Sequence, residues 1–304
     1  MEYPLVSIIT INYDHPEVTC DLLNSLRYIS YPSIEVIVVD NASPNDDPSI
    51  IQQSFPEVHF IQSKENLGFA GGNNLGIRAA KGKYLLFLNN DTTVDRGFLE
   101  PMVTKFEADP GIGAVSPKIR LFYIPDFLQF AGSSPLNPYT LRNKGYGYWI
   151  KDTGQFDSDK LTAFVHGAAM MVPMEVIREV GLMAESYFLY YEELDWGTRI
   201  KNAGYQLWYI HNSVVFHKES ISTGKLSPLK IYYMNRARLL YLRRNISGWT
   251  FLVAIIFQLC ISIPKNALKF LLTGENGQFR AYHKAVMWHL HHLSSKEIHS
   301  NPKL

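Results

Sequence analysis

Along the first half of the chain, short apolar runs alternate with polar stops. Val6–Asn12 (VSIITIN), Ile34–Asp40 (IEVIVVD) and Tyr84–Leu88 (YLLFL) are almost wholly hydrophobic, the pattern of strands buried on both faces. Residues 58–62 predict a shorter strand. Pro16 suits a first helical position, and Val18, Leu22, Leu26 and Ile29 then keep helical spacing. Residues 41–48 (NASPNDDP) are a loop by composition, and 73–80 predict a short helix. Further on, the pattern predicts a helix over 95–108 and strands over 112–116 and 206–210. Residues 166–173 predict a polar strand start running into a buried strand. Residues 118–139 read as irregular and aromatic. Strand–helix alternation of this kind predicts an α/β fold, a mostly parallel sheet flanked by helices with right-handed crossovers.

Composition narrows the classes. A chain of 304 residues with 46% apolar and 19% charged residues can build a packed core. A net charge of +1 gives no support to nucleic-acid binding. Cys20 and Cys260 are too few for a disulfide framework or zinc cluster and suit a reducing compartment. The N-terminus runs straight into a strand without a basic leader, so no signal peptide is expected.

Candidate chemistry sits where the apolar runs stop. The YLLFL run ends at Asn89, Asn90 and Asp91, oxygen-bearing side chains of the kind hard divalent cations favour. The same residues would also make an Asx turn capping the next helix. Asp40, closing the second run, could accept hydrogen bonds from a base or ribose, or cap a loop. In residues 65–76 (ENLGFAGGNNLG), Gly68, Gly71 and Gly72 allow close backbone approach before a helix and can present amides to a diphosphate. The pattern is neither a Walker A loop nor GxGxxG. Residues 188–199 (FLYYEELDWGTR) bring Glu192 and Glu193 to a helix start, where they serve either as general base or as acids favoured by the helix dipole. Asp195 and Arg199 are spaced for an ion pair. His166-Gly167 and His217-Lys218 stand at strand ends. His283, His289, His291, His292 and His299 match no metal-site spacing and read as surface.

Four stretches in order, VSIITINY, EVIVVDNAS, ENLGFAGGNNLGI and YLLFLNNDT, resemble the family 2 glycosyltransferases of GT-A fold. The nearest subgroup is the rhamnosyltransferase-like enzymes of bacterial surface polysaccharide synthesis. The resemblance implies a catalytic domain over 1–225, with a donor-binding half over about 1–115 and an acceptor-side half over about 116–225. Residues 226–304 would form a helical appendage. It implies a nucleotide-diphosphate sugar donor (dTDP- or UDP-linked), a divalent metal (Mg or Mn), and an inverting transfer to a saccharide or lipid-linked saccharide. Asp40 would contact the nucleotide, and Asn66, Gly68, Phe69, Gly71 and Asn73 would line the nucleotide and diphosphate pocket. Asn89-Asn90-Asp91 would be the DXD-type motif. Its first residue is Asn, which leaves Asp91 as metal ligand with Asn90 beside the donor. His217 would complete the metal site, and Lys218 would neutralise phosphate. His166 and Gly167 would meet the acceptor, with residues 145–157 as a loop over the sugar. The family motif is Glu-Asp, with the second acid as base. Glu193 takes that place here, and Glu192 is the alternative. Two rivals are a nucleotidyltransferase, which would want a basic glycine-rich loop after the first strand, and a non-catalytic nucleotide-sugar-binding scaffold.

The last quarter changes character. Residues 228–244 form a basic, aromatic helix. Residues 249–263 are apolar, closed by Pro264 and Lys265. That run is short of the roughly 20 residues a span needs and too apolar for an ordinary exposed helix. With Lys265, Lys269 and Arg280 beyond it, it predicts a peripheral seat on the inner face of the cell membrane in the cytoplasm. The alternative is packing on the catalytic domain or a dimer interface.

Overall fold

The computed structural model describes residues 3–219, 227–293, 298 and 302–304. Residues 220–224 of the His217 segment, the 225/226 boundary and His299 lie outside the described residues.

The first half is β1 (Val6–Asn12), α1 (Pro16–Leu26), β2 (Ile34–Asp40), α2 (Ser49–Ser54), β3 (His59–Gln62), α3 (Gly68–Ala79), β4 (Tyr84–Leu88), β5 (Thr92–Val94) and α4 (Leu99–Ala108). The acceptor-side half is β6 (Ile112–Leu121), β7 (Ile124–Phe130), β8 (Ile150–Lys151), β9 (Lys160–Leu161), β10 (Ala169–Pro173), α5 (Met174–Val180), α6 (Glu192–Asn202) and β11 (Gln206–His217). Four helices follow: α7 (Pro228–Asn245), α8 (Gly248–Phe257), α9 (Ile263–Leu272) and α10 (Asn276–His291).

The expected α/β architecture is present, and antiparallel strands set into the sheet build the site. The strands run β3-β2-β1-β4-β10-β6-β11-β5. β3, β2, β1 and β4 are parallel, but β10 lies antiparallel between β4 and β6. Ala169, at the start of β10, therefore pairs with Leu88, at the end of β4, and brings His166 and Gly167 beside residues 89–91. β11 runs antiparallel to β5 with His217 opposite Thr92, so its last residue reaches the same place. Successive β1 residues feed opposite faces: Ile8 joins the core under α1 and α4, Ile9 the core under α3, α5 and α6.

Three sequence expectations are corrected. Helix α3 starts at Gly68 rather than 73, so the glycines lie in its first turns. A Cβ on Gly72 or Gly76 would come within 2.9 and 2.4 Å of Ile11 and Ile9, so those glycines let α3 lie close on β1. Residues 118–139 are irregular only from 131 onward: β6 continues to Leu121 and turns into β7, which ends at Phe130. Pro264 does not end the apolar helix. A π-helical turn at Gln258–Ser262 precedes it, and Gly248–Leu272 runs on as 25 continuous helical residues.

The C-terminal helices are packed onto the sheet domain. Ala237, Leu240 and Tyr241 of α7 join Tyr187, Tyr191 and Leu194 around α6 in one apolar cluster. Asp195 forms the expected pair with Arg199 (3.0 Å) and also takes Arg244 (2.9 Å) and Asn245 (2.9 Å) from α7. His289 is buried rather than on the surface. Its Nε2 meets the Arg236 carbonyl at 2.9 Å, because α10 lies along α7.

Candidate active site

A cavity of about 550 Å³ opens beyond the carboxyl ends of β1 and β4, where a sheet of this type gathers ligands. Asn66, Gly68, Phe69, Asn73, Asn90, Asp91, His166, Gly167, Glu192, Glu193 and His217 all line it. Asp40 and Gly71, expected there, do not.

One wall is made by strand ends. Asp91 is 8% exposed and His217 6%. His217 Nδ1 lies 2.7 Å from Gln129 Oε1 on β7. An amide oxygen only accepts, so Nδ1 carries a proton, and in the neutral ring Nε2 is the atom with the lone pair. Nε2 has no hydrogen-bond partner, yet it lies 3.0 Å from Asp91 Oδ1. A nitrogen lone pair and a carboxylate oxygen thus converge on one point, which suits a divalent cation. The Gln129 bond fixes the ring's orientation, as an outer-shell partner does for a metal-binding imidazole.

The same wall is braced from behind. Asn90 Nδ2 donates to Thr19 Oγ1 (3.1 Å), which donates to Asn12 Oδ1 (2.7 Å). Asn12 Nδ2 donates to Asp40 Oδ1 (2.8 Å), and Ser43 Oγ donates to the same oxygen (2.6 Å). Asp40 is fully buried in this chain of bonds, so it orients Asn12 and Ser43 instead of facing the cavity. Asn41 takes its place in the wall. Its Oδ1 accepts from the Leu67 N–H (2.9 Å), and its Nδ2 donates to Asn66 Oδ1 (3.1 Å) and the Gly68 carbonyl (3.0 Å).

The tip of α3 corrects a second expectation. The Gly68 N–H is held by Asn66 Oδ1 (2.9 Å) and the Phe69 N–H by the Phe188 carbonyl (2.6 Å). With Leu67 bound to Asn41, three successive amides are committed within the protein, and the Gly68 amide expected to face a diphosphate is one of them. Gly68 has φ 69°, and a Cβ there would lie 2.2 Å from the Phe188 oxygen. Gly71 faces Leu67 rather than the cavity. The glycines dock the donor side against the segment that leads to the glutamates.

That segment makes the opposite wall. Phe188, Tyr190 and Tyr191 all hold positive φ, a strained entry that places Glu192 and Glu193 at the first turn of α6. Glu192 is 3% exposed with Oε2 unpartnered, while Glu193 is half-buried beside Gly167. Burial pushes both carboxyls well above the ordinary glutamate range. The Glu193 charge raises Glu192 further, and Arg236 of α7 opposes that rise. His166 accepts from the Ala168 N–H through Nδ1 (3.1 Å), and burial lowers its pKa to about 3, so it stays neutral.

Two further expectations fail on position. Residues 145–157 do not line the cavity. The Trp149 N–H binds the Leu128 carbonyl, and Asp152 pairs with Lys118 and Arg120, which holds that loop on the outer side of β6 and β7. Lys218 is paired with Asp21 (2.6 Å) instead of facing a phosphate. Sequence reading missed Gln129, Asn41 and Tyr13, and the α7 residues Leu229, Lys230 and Tyr233, all of which line the cavity. Tyr233 stacks on Phe188 with ring centroids 4.8 Å apart, so α7 completes the wall next to the glutamates.

Residues 7–181 match the family model described as glycosyl transferase family 2. An N-acetylglucosaminyl-diphospho-decaprenol L-rhamnosyltransferase of Mycobacterium tuberculosis is 23% identical over 247 residues, 75% of this chain and 80% of that protein. A low-salt glycan biosynthesis hexosyltransferase, Agl10, of Haloferax volcanii is 28% identical over 243 residues, 77% of this chain and 74% of that one. Among solved structures, GalNAc-T7 with UDP, GalNAc and Mn2+ superposes with a TM-score of 0.60 at 16% identity, over 78% of this chain and 49% of the other. The Pyrobaculum calidifontis mannosyltransferase with GDP-Man and Mn2+ gives 0.58 at 17% identity, over 98% and 83%. At these identities the solved structures establish a shared GT-A fold.

Proposed function

The chain belongs to glycosyl transferase family 2, and we propose that it catalyses an inverting, metal-dependent transfer of a sugar from a dTDP- or UDP-linked donor. The acceptor is a saccharide on a lipid carrier, met at the inner face of the cell membrane in the cytoplasm. Rhamnose as the transferred sugar is supported by the named activity of the mycobacterial relative.

Asp91 Oδ1 and His217 Nε2 would hold the divalent metal, which neutralises charge developing on the departing nucleotide diphosphate. Gln129 keeps the His217 lone pair aimed, and the Thr19–Asn12–Asp40 relay keeps Asn90 at the donor. Asn66, Phe69 and Asn73 shape the nucleotide side. Across the cavity, Glu193 takes the proton from the acceptor hydroxyl as it attacks the anomeric carbon. Glu192, deeper in the wall, is its coupled neighbour and the alternative base. His166 and Gly167 border the acceptor between the two walls.

The observation that carries this reading is the meeting, in one cavity, of a preset oxygen–nitrogen pair on one wall and two protonation-shifted carboxyls on the other. The nucleotidyltransferase reading lacks its loop. The turn after β1 is Tyr13 to His15, with Asp14 binding Asn45 and the His15 N–H binding Asp46. A donor-hydrolysis assay with and without Mn2+, run on a panel of nucleotide sugars, tests the proposal. Metal-stimulated release of nucleotide diphosphate is expected. Release of pyrophosphate, or no turnover of any donor, would defeat it.

A further inference from the structure

The chain's net charge is divided unevenly. Overall there are 29 Lys and Arg against 28 Asp and Glu. Residues 227–293 hold nine of the former (Lys230, Arg236, Arg238, Arg243, Arg244, Lys265, Lys269, Arg280 and Lys284) and one of the latter (Glu275). That is +8 for the helical region and −7 for the remainder. Arg236, Arg243 and Arg244 are spent on carbonyls and Asp195 inside the fold. Lys265, Lys269, Arg280 and Lys284 are exposed.

Beside this positive charge lies an apolar face that nothing in the described residues covers. On the continuous helix Gly248–Leu272 (mean hydropathy 1.8 over its most apolar 18 residues), Trp249, Leu252, Ile256 and Leu259 recur at spacings of three and four. Leu268, Leu271 and Leu272 extend them past the π turn. Trp249 is 77% exposed and Leu272 78%. Only a narrow stripe of the helix faces inward. Ala254 packs in the α7 cluster, Gln258 Nε2 donates to the Tyr139 carbonyl (2.8 Å), and Phe270 meets Tyr282 of α10 with centroids 5.8 Å apart.

Length alone would permit a crossing: 25 residues rise about 38 Å against a hydrocarbon core of about 30 Å. The packing forbids it. Its first part is fastened to α7 and its last part to α10, so crossing would drag Arg280, Lys284 and the polar side of the domain into hydrocarbon.

We propose that the α8–α9 face lies flat in the headgroup plane of an anionic lipid bilayer. Trp249 and the leucine–isoleucine row are sunk in the acyl boundary, with Lys265, Lys269, Arg280 and Lys284 on the lipid charge. This deepens the reading of a lipid-linked acceptor and rests on it for its purpose, though not for its evidence.

The test is flotation of the full chain with phosphatidylcholine vesicles, with and without phosphatidylglycerol, at low and high salt. The wild type is expected to float only with the anionic vesicles at low salt. Leu252→Asp with Ile256→Asp should abolish flotation. Lys265→Glu with Lys269→Glu, which touches no core contact, should weaken it by about tenfold or more. Both pairs should melt like wild type and transfer sugar to a water-soluble acceptor at the wild-type rate. Wild type that stays with the pellet beside anionic vesicles overturns the proposal. So does a lipid-free dimer, seen by sedimentation, that the aspartate pair dissociates while flotation persists. Loss of transfer in every variant and in wild type would instead strike the glycosyltransfer reading and leave flotation to speak for itself.

Discussion

The two walls of the cavity are built on opposite principles. At the strand-end wall the protein groups are mutually tied. Asn90, Thr19, Asn12, Asp40 and Ser43 form one relay, and Gln129 fixes His217. His217 Nε2, beside Asp91 Oδ1, has no hydrogen-bond partner and faces the cavity. At the α6 wall the backbone enters through three residues of positive φ, a buried carboxylate oxygen is unpartnered, and two acids share one dry place. The first wall is preorganised to hold a charge that does not change. The second is poised to change its own charge, because burial brings a carboxyl's pKa towards the pH at which it must accept a proton.

Breaking the first wall should have the largest effect. Asp91→Ala removes the carboxylate that the proposed function gives to the metal. Transfer should fall by roughly a thousandfold, several kcal/mol of barrier, while the melting temperature without nucleotide stays near wild type. The check is turnover beside UDP- and Mn2+-dependent thermal stabilisation, both of which should vanish. Turnover at the wild-type rate would remove Asp91 from the metal.

The second wall is tested by Glu193→Gln, which keeps shape and loses the acceptor of the proton. Turnover should fall by roughly a hundredfold or more, with the donor dissociation constant unchanged. If Glu192→Gln is the variant that loses activity and Glu193→Gln is not, the base is Glu192.

A smaller effect separates holding from chemistry. Gln129→Leu frees the His217 ring to turn, so the metal concentration for half-maximal rate should rise about 10- to 100-fold, with kcat at saturating metal much less altered. Equal loss in both would mean that Gln129 merely supports the fold.

The smallest expected effect is a shift in pH dependence. Transfer should rise with pH along a limb above the ordinary glutamate range, since the base must be deprotonated. If Glu192 sets that limb, Arg236→Gln should move it to higher pH, because the Arg236 charge lowers the Glu192 carboxyl; a limb set by Glu193 should stay in place. Stability should run the other way. A carboxyl whose folded pKa is raised contributes stability that is fully present below its unfolded pKa. That contribution is lost as pH rises through the folded value. Thermal melts across neutral pH should therefore show declining stability in wild type, and a flatter profile when both Glu192 and Glu193 are Gln. A limb unmoved by Arg236→Gln assigns it to Glu193, and a moved limb assigns it to Glu192.

The sequence by itself determined the strand runs and the residues at their ends. Tyr84–Leu88, the polar stop at Asp91, the acids opening α6 and His217 closing β11 are all local patterns of apolar period and polar interruption. It also carried four motifs in order, and with them the family. Tertiary structure decided which of those ends meet and what each side chain has left to offer. Gln129 finds His217 across 88 positions because β7 pairs with β6 and β6 with β11. Asp40, a strand-end acid like Asp91 in the sequence, is used up by Asn12 and Ser43, while Asn41 faces the cavity in its place. The aromatic loop at 145–157 is held away by an ion pair through Lys118, and a helix predicted as an appendage supplies Leu229, Lys230 and Tyr233 to the wall. Hydrophobic period is written in neighbours along the chain. Hydrogen-bond satisfaction depends on partners tens of residues away, and only sheet register and helix packing bring those within about 3 Å.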